Sequence, residues 1–536
     1  MNLIGKIKNT FSNTRGWFLL CLCSIAVGLS LSKPLMSLGL FGLLIVWLVD
    51  GNIKQKINTF WQNKTAVIIS SIYLITVLGL IHTSNFEFAI DDLRRKLPLF
   101  FIPFYVSGFS PITKKELHFI LKVFIGGVII ATFWSYFVYL GGLNEIIVDA
   151  RDYSRFNSHI RFGLEIALAI FFGGYFFIKS KKNMPKFCWF VLSLWLVTSL
   201  FLFSLFTGVI VSFLTGFVIL FFFGITNTNR KLKTTALFIF IIFLSSGGLF
   251  IKSSINDFYT DEKVNPIKEI PLTKEGNKYR VDQKTKNSTL KENGYFVEKH
   301  ISDKEFANAW ENKSSINYEG QDLKGNDIKF TLRRFITSKG LRKDKQSIDS
   351  LNEKEVKAIE KGIPNAMYLN MNYISIRIHK VLWEYESYIN HRNMNGHSVL
   401  MRWTYWETAS KIIKNNLFFG VGSGDVQDAF NLQYENDNSI LTEKYRLRTH
   451  NQYLTYGVSF GLIGLIWFVV SLFYPFFKTN KYKNYFYLAF FSIILSSMLT
   501  EDTLEVQTGI NFFVFFNTLF LLNLQEKRTS INNDTK

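Results

Sequence analysis

The chain has 536 residues, 48% of them hydrophobic, 17% aromatic and only 19% charged, with a formal net charge of +20. A soluble domain carries more charge and spreads its apolar residues periodically; here they fall in runs matching the roughly 17–25 residues that cross a bilayer. The positive charge is largely lysine at the ends of those runs, with no basic–aromatic motif, so it indicates sidedness and excludes nucleic acid as a partner.

In chain order the apolar runs predict twelve spans: 17–32, 34–49, 66–81, 97–109, 117–140, 162–178, 187–206, 208–225, 236–251, 453–477, 485–499 and 509–524. Each is read as a helix, because lipid offers no partner for free backbone groups. The first run follows a basic start (Lys6, Lys8, Arg15) with no small-residue cleavage pattern, and reads as an uncleaved span. Alternate loops hold Lys54, Lys56 and Lys64, then Lys114 and Lys115, Lys179 to Lys186, Arg230 to Lys233, and Lys478 to Lys483. By the positive-inside bias both termini face the cytoplasm and a large loop faces out.

The expected fold is an all-α polytopic membrane protein of about 12 transmembrane helices with a large extracytoplasmic α+β insert. Residues 1–252 hold the first nine spans, 253–452 the outer loop, 453–524 the last three spans and 525–536 a cytoplasmic tail. Cys21, Cys23 and Cys188 all lie in predicted spans, so the outer loop contains no cysteine and no disulfide.

Within that loop, 253–397 is polar, with strand-like pieces at 294–297 and 328–332 and a helical stretch at 353–361. From 398 to 452 the pattern turns helical. Arg402, Tyr405, Trp406, Ala409, Ile412 and Ile413 recur at three- and four-residue spacing, and the helix stops at Asn415–Asn416 before GVGSGD. A phosphate loop needs a strand before its glycines and a helix after them; here a helix precedes and Asp425 repels phosphate, which favours a plain helix-ending turn.

Several outward positions break the lysine rule. Arg94, Arg95 and Lys96 precede the fourth span; Arg151, Arg155 and Arg161 bracket His159 before the sixth; Arg402, Arg446, Arg448 and His450 sit in the outer loop. A guanidinium is a planar fork that grips phosphate oxygens in pairs, whereas an ammonium is a single point. These arginines read either as a lipid pyrophosphate site, or as phospholipid contacts and partners of Asp91, Asp92, Glu145 and Asp152. His450, in RTHNQYL at the mouth of the tenth span, suits proton transfer from an acceptor hydroxyl. Glu501, Asp502 and Glu505 read as a solvated loop or as groups that orient a basic partner. No HExxH or CxxC spacing is present, so no metal ligands are assigned.

RWTYWETASKIIKNNLFFGVGSGD followed by RTHNQYLTYGVSFGLIGL resembles the signature region of the O-antigen ligase and polymerase family. The shared pattern is an Arg and a Trp on a helix, a G-x-G turn, H-N-x-[YF]-L and a glycine-rich span; the match covers roughly 398–466. ARDYSRFNSHIRFGLEIALA is similar to the family's arginine-bearing entry to a middle span, and TLRRFITSKGLRKD resembles a segment of one subgroup.

The resemblance implies a bacterial inner-membrane glycosyltransferase. Such an enzyme takes a glycan from undecaprenyl pyrophosphate and passes it to lipid A–core in lipopolysaccharide biosynthesis, to another repeat unit, or to a protein hydroxyl, using neither metal nor cofactor. His450, Arg402 and Arg161 fall at the family's functional positions, with Arg155, Arg94, Arg95 and Asn451 as pyrophosphate-binding candidates. Many relatives have a glutamate where this chain has Ser459. A transporter or flippase is the rival of another class, but the spans carry few charges (Glu165 is the main one) and no internal repeat is visible.

Overall fold

A computed structural model describes residues 14–143, 147, 149–226, 229–261, 271–280, 290–391 and 394–522. Lys6, Lys8, Glu145 and the tail 525–536 lie outside them. Eleven helices precede the insert: α1 (Thr14–Leu31), α2 (Lys33–Val49), α3 (Ile53–Gln62), α4 (Lys64–Leu78), α5 (Phe86–Lys96), α6 (Pro98–Ser107), α7 (Lys114–Tyr139), α8 (His159–Lys179), α9 (Asn183–Leu202), α10 (Phe206–Thr226) and α11 (Arg230–Asp261). A hairpin of β1 (Lys291–Glu292) and β2 (Tyr295–Phe296) opens the insert, with Lys291 opposite Phe296. Then come α12 (Asp303–Glu311), α13 (Ile328–Ser338), α14 (Lys345–Asp349), α15 (Glu353–Glu360), α16 (Tyr373–His391), α17 (Ser398–Asn415) and α18 (Val426–Asn436). The chain closes with α19 (Gln452–Lys478), α20 (Tyr485–Met498) and α21 (Gln507–Leu521).

A helix covers most of each of the twelve predicted segments, but the helices differ in reach. Among the described residues, seven (α1, α7 to α11 and α19) are long and apolar enough to cross a membrane, or eight if α2 and α3, bent by 116°, form one broken span. α4 and α21 have 15 residues each, about 22 Å of helix, against a hydrocarbon core of about 30 Å. α6 has 10 residues and α20 has 14. α5, between the third and fourth predicted spans, is amphipathic and ends in Arg94, Arg95 and Lys96, a basic last turn that suits the negative end of the helix dipole.

The membrane core is aromatic. Phe172 on α8, Phe486 on α20 and Phe520 on α21 interlock, with Phe490 and Phe516 extending the stack, and all five rings are buried. α8 and α10 approach closely where Gly163 meets the Gly208 backbone. No Cβ fits between them.

The insert has its own core of Phe306, Trp310, Leu332, Phe335, Ile336, Ile348 and Ile359. One expectation is corrected here: 328–332 is not a strand but the first turns of α13. Ile328, Leu332, Phe335 and Ile336 recur at helical spacing and all are buried, so α13 closes that core, and period 3.6 overrides a β-rich composition. β2 (Tyr295–Phe296) and α15 fall inside the strand-like piece and the helical stretch that the sequence places at 294–297 and 353–361, whereas β1, its partner, was not expected.

α19 is two helices joined at Gly461, where φ is +63°. The stretch 417–422 docks into that break. Val421 N–H donates to Val458 O (2.9 Å), Gly422 N–H to Ser459 O (2.9 Å), and Leu462 N–H to Leu417 O (2.8 Å). A Cβ on Gly420 would collide with the Ser459–Phe460 backbone, and one on Gly461 with the Phe418 carbonyl. The glycines of GVGSGD serve this backbone contact, and Asp425 accepts from the Ser84 and Asn85 amides (2.7 Å each). That locks the turn to the start of α5.

Candidate functional site

The loop between α20 and α21, residues 499–506, is where distant parts of the chain meet. Arg161 enters from the first turn of α8, fixed there by the Ser158 cap, and its Nη1 lies 3.4 Å from Glu501 Oε2. Its Nη2 donates to the Asp502 carbonyl at 3.5 Å. Arg402, in the second turn of α17, reaches the same carboxylate from the other side, with Nη2 3.2 Å from Glu501 Oε1 and 3.2 Å from Thr500 O. Arg161 is 8% exposed and Glu501 7%, whereas 28% of the Arg402 side chain remains open. One carboxylate therefore bridges two guanidiniums, one sealed and one facing outward.

His450 packs against the same face of α17. Tyr405 and Trp406 lie three and four residues after Arg402, so all three share one side of the helix. The His450 ring centre is 5.9 Å from that of Tyr405, and Trp406 Nε1 donates to Thr449 O at 3.0 Å. His450 has φ +49°, a left-handed turn that ends the incoming loop just before α19. Asp502 supports this turn, accepting from Thr455 Oγ1 (2.7 Å) and Thr449 Oγ1 (3.2 Å). Asn451, expected at the pyrophosphate, commits its amide to the frame. Its Oδ1 accepts from Tyr453 and Leu454 N–H (3.0 and 3.1 Å), and its Nδ2 donates to Leu499 O (3.1 Å).

A second charged group flanks the first. Lys96 is buried and donates to Asp92 and Glu505 at 2.8 Å each, while Arg448 Nη1 lies 3.8 Å from the other Glu505 oxygen. Burial opposes the Lys96 charge, but Asp92 and Glu505 outweigh it and hold its pKa above the ordinary lysine value. Burial likewise works against the Glu505 charge, yet Lys96 and then Arg448 hold its pKa below the ordinary carboxylate value. Arg95 pairs with Asp91 at 3.4 Å, and its guanidinium and that of Arg448 both lie over the Phe88 ring (5.6 and 5.2 Å).

The structure thus brings Arg161, Arg402 and Asn451 to one loop, with His450 between Asn451 and the Tyr405 ring and Arg95 at the rim through Phe88. Arg94 and Arg155 are exposed. The solvated reading of Glu501, Asp502 and Glu505 is corrected: Glu501 and Glu505 are the counter-ions on which the cations converge, and the Asp502 carboxylate takes the Thr449 and Thr455 hydroxyls. Lys96, Arg448 and these three acids are the members of the cluster that the sequence underweighted. The usable signal was charge balance, since four cations so close to apolar spans require buried partners.

A shallow cleft of about 610 Å³ lies beside the turn at 420–425, lined by His82, Ser84, Asn416, Asp425 and Asp428, and contains none of the convergent arginines. No curated protein matches the chain. Residues 362–469 match the family model described as O-antigen ligase, a stretch that includes Arg402, the glycine turn, His450 and the broken helix. The chain therefore carries an O-antigen ligase domain at residues 362–469, which suggests membrane glycan transfer of the ligase or polymerase type.

Proposed function

We propose that this protein moves a glycan from undecaprenyl pyrophosphate to an acceptor hydroxyl at the outer face of the bacterial inner membrane, with lipid A–core as the acceptor. The single observation that carries the reading is the meeting of Arg161 and Arg402 on one buried loop, beside a histidine held in a left-handed turn. In this reading all twelve apolar segments are embedded in the membrane, both termini are cytoplasmic and residues 253–452 lie outside.

The acceptor oxygen attacks the anomeric carbon, forming a C–O bond, while the bond from that carbon to the diphosphate oxygen breaks. Negative charge grows on the leaving diphosphate. Arg161 and Arg402 meet it with fixed donors in a water-poor site, each contributing on the order of 10²–10³-fold in rate. His450 accepts the hydroxyl proton, worth about 10²–10⁴-fold. Asn451 holds the end of α19 on which the His450 turn rests. Arg94, Arg95 and Arg155 steer the diphosphate toward Arg161 and Arg402 from the membrane surface.

Purified protein given polyprenyl-pyrophosphate glycan and lipid A–core tests the reaction: product must form, and Arg402→Ala and His450→Ala must each suppress it. Surface polysaccharide from a deletion strain separates the acceptors. Loss of all long chains, with polymer left on the carrier lipid, indicates ligation, whereas single-repeat glycan on the surface indicates polymerisation.

A further inference from the structure

Glu501 presents a problem that the proposed reaction does not solve by itself. The guanidiniums that are to receive a diphosphate already hold a carboxylate. Around the loop lie four cations, Arg161, Arg402, Lys96 and Arg448, and four carboxylates: Glu501, Asp92 and Glu505, each paired with a cation, and Asp502, whose carboxylate takes the Thr449 and Thr455 hydroxyls. Such a site is charge-balanced as it stands and has little net attraction for a dianion.

The four carboxylates are not held alike. Glu505 and Asp92 are gripped by Lys96 at 2.8 Å, the usual length of a charge-assisted hydrogen bond. Asp502 takes two threonine hydroxyls that brace the His450 turn. Glu501 is held at 3.2 and 3.4 Å, longer than the roughly 2.7–2.9 Å of a well-formed pair. Arg161 Nε is buried beside it with no hydrogen-bond partner. The pair is underused, and a donor remains available.

The backbone under Glu501 is pinned independently of its side chain. Asn451 Nδ2 holds Leu499 O, Thr503 N–H donates to Glu501 O, and Lys96 anchors Glu505. Rotation of the one side chain frees both guanidiniums without dismantling the loop. Two carboxylate oxygens, one toward each arginine, also reproduce what a diphosphate would present to that pair.

Resting on the donor-site reading above, we propose that Glu501 is a built-in stand-in for the diphosphate. It occupies the arginine pair when the site is empty, is displaced as the donor enters, and returns to expel the spent carrier. It is a positioning residue, acting through Arg161 and Arg402 on both binding and release.

The test uses the full-length protein in lipid nanodiscs, inorganic pyrophosphate as the probe, and turnover of a polyprenyl-pyrophosphate glycan. Glu501→Gln keeps the shape and removes the competing charge. It is expected to bind pyrophosphate roughly tenfold or more tighter than the wild type, since one like charge leaves the site. Its KM and kcat for the lipid donor fall together, because the product leaves slowly, while a single turnover proceeds at near the wild-type rate. If Glu501 merely props the loop, kcat falls with KM unchanged or raised and pyrophosphate binds no better; that overturns the inference. Should the glutamine variant fail to fold, Glu501→Ala serves, because it too removes the competing charge and must also tighten pyrophosphate binding. Binding that depends on Arg402 but is not strengthened by either variant overturns this inference alone. Absence of binding in every form, with Arg402→Ala fully active, overturns the donor-site reading as well.

Discussion

His450→Asn is the substitution that best separates chemistry from folding at this site. His450 sits at φ +49°, a conformation that asparagine adopts more readily than most residues, so the turn before α19 survives the exchange. The supports of the turn belong to its neighbours: Trp406 Nε1 to Thr449 O at 3.0 Å, and Asp502 to Thr449 and Thr455. What disappears is the imidazole and its packing 5.9 Å from the Tyr405 ring. Loss of a general base costs about 10²–10⁴-fold, or about 3–5.5 kcal/mol in the barrier. The assay is turnover of lipid-linked glycan in proteoliposomes, paired with a melting curve on the same preparation. The expected result is a kcat at least 100-fold lower, KM within a few-fold and melting close to wild type. His450→Val, β-branched in a left-handed turn, adds about 1–3 kcal/mol of backbone strain and must lower the melting temperature as well. If the asparagine variant keeps activity within threefold of wild type, the proton-accepting role is refuted.

Trp406→Phe removes one 3.0 Å hydrogen bond to the His450 turn, worth about 1 kcal/mol, and is expected to lower turnover about fivefold with an unchanged circular dichroism spectrum. Gly461→Ala forces a Cβ into the Phe418 carbonyl at a positive φ, so thermal unfolding should show a loss of about 1–3 kcal/mol. Trp310→Ala empties the centre of the insert core at a cost of about 3–5 kcal/mol, and limited proteolysis should cut the insert while leaving the spans intact. The insert should also be acid-labile. Burial, with Arg334 adding to it, pulls the His379 pKa from 6.5 to about 4. The unfolded chain then takes up the proton first, so stability is full above about pH 6.5 and is lost as pH falls toward 4. His379→Gln should flatten that acid limb of protease resistance.

How much of this was legible depends on whether the signal was local. The long apolar runs, the helix carrying Arg402, Tyr405 and Trp406, and the strand piece at 294–297 follow from spacing within a few residues. Ile328–Leu332 misled because β-branched and aromatic residues suit both strands and helices. Only the further burial of Phe335 and Ile336 settles the period. The glycines of GVGSGD invited a phosphate-loop reading that Asp425 argued against, but their partner, the break in α19 at Gly461, comes from tertiary contact. Glu501 was the hardest to read. In the sequence it is one acid in a polar loop, and nothing local says that Arg161 and Arg402 arrive from distant helices to bury it.

Binding of undecaprenyl pyrophosphate to the wild type, Arg161→Ala, Arg402→Ala and the surface control Lys357→Ala, all in nanodiscs, measures convergence most directly. Two guanidiniums on one diphosphate require each arginine variant to bind at least tenfold more weakly, with the control unchanged. Equal affinity across all four proteins would mean that the arginines only neutralise Glu501 and that the diphosphate binds elsewhere.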